Sequence, residues 1–144
     1  MTRGDNGVLT ILAIGVVSFM ATGCMRPGVN LVETGAVTVN RVPAANVGFA
    51  WVDVYQDNET LVVCGKVVPR FFTGGPIDGH VDIAVLDVSG SLLKEVRTDT
   101  LSIRRARIGG GSTGHRFESR LPLMAPPGTT VRASFHGGAH ETSS

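Results

Sequence analysis

Apolar residues along most of this chain recur at every second position, in short runs broken by glycine, proline, asparagine and aspartate. That spacing constrains the fold more than any other feature. Side chains alternate faces along a strand, whereas an amphipathic helix needs a period near 3.6. Phe49–Tyr55 (FAWVDVY) sets Phe49, Trp51, Asp53 and Tyr55 on one face and Ala50, Val52 and Val54 on the other. Thr60–Val68 follows after a turn at Asp57-Asn58, and His80–Val88 aims Val81, Ile83 and Val85 at a core, with Asp87 marking its end. Ala36–Asn40, Ser91–Thr98, Arg116–Leu121 and Thr130–His136 bring the expected total to about seven strands. Residues 99–114, with Gly109-Gly110-Gly111 among arginines, read as irregular. Beyond residue 24 there is no long amphipathic helical pattern and no internal repeat. The expectation is an all-β fold, a small antiparallel β-sandwich in which Trp51 is the core aromatic and Phe71-Phe72 pack inward.

The N-terminus follows a different pattern. Residues 1–7 are polar, with Arg3 as the basic side chain, and Val8–Met20 (VLTILAIGVVSFM) is an uncharged apolar run of 13 residues. As a helix that run covers roughly 20 Å, short of the ~30 Å hydrocarbon core of a bilayer, so it reads as a targeting segment rather than a span. Small residues then lead into a cysteine: Ala21, Thr22, Gly23, Cys24.

This arrangement resembles the bacterial lipoprotein signal, whose lipobox ends in a small residue followed by cysteine. Ala21 stands where leucine is commonest in that motif. The resemblance implies diacylglycerol transfer to the Cys24 thiol and cleavage between Gly23 and Cys24. Two or more acyl chains anchor a protein stably where one does not. Met25 is not the aspartate that retains many lipoproteins at an inner membrane, so in a two-membrane host the resemblance implies the periplasmic face of the outer membrane. Ordinary secretion is the alternative, since Ala21-Thr22-Gly23 also fits a plain cleavage site. The expected organisation is a signal peptide over 1–23 with its apolar helix, a lipidated tether over 24–35, a sandwich over 36–137 and a tail over 138–144.

Within the sandwich, Gly65-Lys66-Val67, Gly75–Ile83 (GPIDGHVDI) and Leu86–Gly90 (LDVSG) resemble transthyretin-like and immunoglobulin-like modules. That resemblance implies architecture only, because such folds host many unrelated tasks.

Chemistry-bearing residues are sparse. His80 shares a strand face with Asp82, and His136 lies four residues before His140; with Cys64 these are the candidate metal ligands. No spacing of a known metal motif occurs, and the alternative is solvated strand-end histidines. Cys64, among Leu61, Val62, Val63 and Val67, suits a buried inert thiol. Arg104, Arg105 and Arg107 form a candidate patch for an anionic partner, since guanidinium binds carboxylate and phosphate bidentately. With 13 basic against 12 acidic residues, nucleic acid is not an expected partner. No nucleophile elbow or phosphate loop is present, and Asp78 and Asp82 read as turn and strand acids. The expected function is a membrane-anchored, non-catalytic binding or scaffolding module of the cell envelope. It meets membrane lipid through Cys24, docks an envelope protein, and carries no cofactor beyond its covalent lipid. The alternative is a periplasmic metal-binding lipoprotein.

Overall fold

The computed structural model describes residues 28–71, 75–104 and 114–138. The described residues form nine strands: β1 (Val29–Asn30), β2 (Val37–Val42), β3 (Val47–Asp57), β4 (Thr60–Pro69), β5 (Ile77–Leu86), β6 (Leu92–Arg97), β7 (Leu101–Ile103), β8 (His115–Leu121) and β9 (Thr129–Gly137). One sheet runs β1-β3-β4-β8 and is antiparallel throughout. The other runs β2-β9-β5-β6, with β7 also on β5, and it is mixed because β2 lies parallel to β9. The all-β sandwich expected from the period-two runs is therefore present, with two more strands and one parallel pairing.

The core is built where the inner faces of the two sheets meet. Val52 and Val54 of β3, Leu61, Val63 and Val67 of β4, and Phe117 and Leu121 of β8 pack against Val81, Ile83 and Val85 of β5 and Val131, Ala133 and Phe135 of β9. Most of these are β-branched, and such side chains fit the pleated surface of a sheet with little loss of rotamer freedom. Gly65 serves a particular purpose. A Cβ there would come within 2.6 Å of the Trp51 carbonyl oxygen and 2.7 Å of the Phe117 ring, so the bare backbone lets that ring lie flat in the core. Phe49 meets Phe117 edge-on, with centroids 6.2 Å apart and planes at 77°.

Trp51 is not the core aromatic. It stands half-buried on the outer face of the first sheet, with the Arg116 guanidinium 6.0 Å from its ring centroid. Trp51 alternates with the inward-facing Val52 and Val54, so it points outward, and a β-bulge between Phe49 and Trp51 turns Phe49 into the core instead: Phe49 faces Val67 while Trp51 faces Lys66. Phe71, expected inside, is exposed just beyond the end of β4; Phe72 lies outside the described residues.

The folded body also begins earlier than expected. Val29 and Asn30, placed in the tether from sequence, pair with Gln56 and Tyr55 of β3. The Leu31 amide donates to the Val54 carbonyl at 2.8 Å, and the Asn30 carboxamide oxygen accepts from the amides of Val32 and Glu33, closing a turn that carries the chain across to β2. Leu31 and Val32 pack against the core. Residues 28–35 are part of the sandwich, and residues 1–27, with the expected signal segment, Gly23 and Cys24, lie outside the described residues.

Strand directions give the molecule two ends. The near end holds Gly28, the β3–β4 hairpin at Asn58-Glu59, the β5–β6 turn at 87–91 and the loop 122–128. Gln56 ties it together: its amide nitrogen donates to the carbonyls of Asn58 and Leu123, and its oxygen accepts from the Ala125 amide. At the far end lie the close of β2, the start of β3, the close of β4 and the start of β5.

Candidate functional site

Two regions bring chemistry-bearing side chains together, one on the outer face of the mixed sheet and one at the far end. On the sheet, antiparallel pairing of β5 with β9 sets His80 directly opposite His136, and pairing with β6 sets Asp82 opposite Arg97. The two imidazoles stack with centroids 5.5 Å apart. Asp82 is the hub: its carboxylate lies 3.2 Å from His136 Nε2 and 3.6 Å from His80 Nε2, and it accepts a 2.9 Å hydrogen bond from Arg97 Nε. His80 Nε2 is shut off from solvent with no hydrogen-bond partner among the described residues. An open groove of about 320 Å³ continues from His136 and Asp82 past Ser134, Arg132 and Glu95.

Two of the three histidines named from sequence thus meet, and they meet through strand register rather than sequence spacing. His140 lies outside the described residues. His115, the remaining histidine, is apart from them, with Nδ1 on the Arg116 carbonyl oxygen at 2.8 Å. Among the described residues no three His, Cys, Asp or Glu side chains are grouped so as to hold a metal ion. Arg97 already occupies one carboxylate oxygen of Asp82, so this cluster is arranged as an ion-paired surface. Asp78, weighed as a partner for Asp82, is exposed opposite Ser102 and does not join it.

The far end holds a cleft of about 460 Å³ lined by Arg41, Pro43, Gly48, Phe49, Val68, Pro69 and Arg70. Both arginines are exposed, and neither guanidinium has an ion-pair or hydrogen-bond partner among the described residues. The Arg70 amide donates to the Asn46 carbonyl at 2.9 Å, which fixes the β4 terminus beside the entry to β3. Two guanidiniums beside an aromatic ring and two prolines suit a ligand with an anionic group and an apolar body. Sequence reasoning missed this pair because Arg41 and Arg70 are far apart in the chain and each stands alone at a strand end. Of the patch that was named, Arg104 is exposed immediately after β7, at the same end as the cleft; Arg105 and Arg107 lie outside the described residues.

Cys64 is fully buried, but not in the core between the sheets. It sits on the outer face of β4 between Asp53 of β3 and Glu118 of β8, its thiol donating to the Asp53 carbonyl at 3.7 Å. Trp51 and Tyr55 of β3 and Arg116 and Arg120 of β8 share that face on either side of it. No protein-family model, no curated protein and no solved structure matches the chain.

Proposed function

We propose that this chain is a bacterial-type envelope lipoprotein, held to a membrane by acyl groups on Cys24, whose sandwich binds a partner and does not catalyse a reaction. The observation that supports the reading is a polarity. The lipobox-like segment enters the fold at Gly28, at the near end, while Arg41 and Arg70, whose guanidiniums have no partner among the described residues, stand at the far end. A binding module fixed at one end and open at the other needs no catalytic group. Its partner is an envelope molecule bearing carboxylate or phosphate.

Membrane fractions of cells making the wild-type protein and Cys24→Ser test the anchor: the wild type should pellet with membranes and the variant should be soluble. A variant that still pelleted would overturn it. Capture of partners by wild type and by Arg41→Ser/Arg70→Ser tests the cleft, and an unchanged set of partners would remove it.

The register that sets His80 opposite His136 favours one further reading, a metal-handling lipoprotein in which these imidazoles supply two ligands. Protein purified without chelator should then carry stoichiometric metal that is lost in His136→Ala; metal-free protein argues against it.

A further inference from the structure

We infer that the near end of the sandwich rests directly on the bilayer, with Val29, Val88 and Met124 at the lipid boundary and the far-end cleft facing away. The inference rests on acylation of Cys24, and it replaces a tethered domain with a docked one.

Reach comes first. Only residues 25–27 separate Cys24 from Gly28, and at 3.3–3.6 Å per residue even a fully extended chain spans about 14 Å from Cys24 to Gly28. The headgroup layer on each side of a bilayer takes up roughly 5–8 Å of that. Gly28 is seated against the end of β3. It adopts φ +124°, where a side chain is strained, and a Cβ there would lie 2.5 Å from the Gln56 carbonyl oxygen. Val29 and Asn30 are paired to β3. The lipid therefore holds this end, and no other, at the membrane.

The surface of that end fits the placement. Val88 is 83% exposed at the tip of the β5–β6 turn, Met124 63% in the loop after β8, Val29 57% beside Gly28, and Leu92 55% at the start of β6. Pro126 and Pro127 are exposed between Met124 and β9. Four of the seven large exposed hydrophobics of the described residues are thus at one end. Gly128 brings two of these tips together, since its Cβ position lies 3.3 Å from the Val88 side chain. Charge selects the lipid. Among the described residues Asp57, Glu59 and Asp87 outnumber Arg120 at this end, and Arg26 in the link does not reverse the balance, so there is no net attraction to an anionic surface and the partner is the interface of zwitterionic phospholipid.

Hydrogen exchange tests this on the full chain: wild type reconstituted in phosphatidylcholine vesicles, compared with soluble Cys24→Ser. Amides over 88–92 and 122–125 should exchange several-fold more slowly on the vesicle, while those over 41–48 at the far end stay unchanged. Environment-sensitive probes at Val88→Cys, Met124→Cys and Val42→Cys, each with Cys64→Ala, give an independent reading. Lipid-borne quenchers should reach the first two and not the third. Equal exchange or equal quenching at both ends, on protein whose mass includes acyl chains, would overturn the docked orientation alone. A mature mass without acyl chains would overturn the anchor and the docking together.

Discussion

Gly65 and Phe117 depend on each other across the β4–β8 pair. The ring fills the space a Cβ would need, and the Trp51 carbonyl closes that space from the other side. Gly65→Ala should cost about 1–3 kcal/mol, the usual range for overpacking a core, and lower the urea midpoint accordingly; an unchanged midpoint would contradict the packing described. At Asp87 the effect is electrostatic. Its carboxylate accepts from the Ser89 hydroxyl at 2.6 Å and from the amides of Ser91 and Ser89, each at 2.9 Å, and these bonds hold its pKa below the ordinary 3.8. A depressed acid favours folding once ionised. Its contribution is complete above the unfolded value and is lost as pH falls through the lower folded one. Because the Ser89 hydroxyl is the largest cause, Ser89→Ala should move the Asp87 titration, followed by NMR, back up toward 3.8. An unmoved titration would show that the turn amides suffice.

Strands that bury one face were legible from alternation alone: Val81, Ile83 and Val85 of β5 and Val131, Ala133 and Phe135 of β9 all point inward. β4 was legible as an apolar run because Val62 and Cys64 are covered on the outer face as well. β1 was not, since two residues carry no period and their pairing with Gln56 and Tyr55 exists only once β3 is in place. β7 repeats the alternation with Leu101 and Ile103, too briefly to stand out beside the glycine- and arginine-rich stretch that follows. Register is a tertiary property, so neither the parallel β2–β9 pair nor the meeting of His80 with His136 could be read from spacing. The same holds for the cleft, whose two arginines are joined only by the ends of three strands. Gln56 shows how one side chain couples elements remote in sequence. Gln56→Ala removes one hydrogen bond within the β3–β4 hairpin and two from it to the loop 122–125, each worth about 0.5–1.5 kcal/mol net. The expected result is a loss of about 2 kcal/mol by denaturant titration, with faster hydrogen exchange at Ala125. Loss of stability without faster exchange there would place the defect elsewhere.

Among the described residues the molecule differs from end to end, with an acidic end of apolar tips where the chain enters and a far end where Arg41, Arg70 and Arg104 stand with Asp78. Neither sheet supplies a reason for that arrangement by itself, because packing constrains only the inner faces. The proposed membrane at one end and partner at the other would account for both. That account depends on acyl chains joined to sulfur at residue 24. Intact mass spectrometry of the protein extracted from membranes measures this directly. The predicted species begins at Cys24 and weighs more than residues 24–144 by two or three acyl chains on a glyceryl cysteine. A species with the mass of the amino acids alone would contradict it.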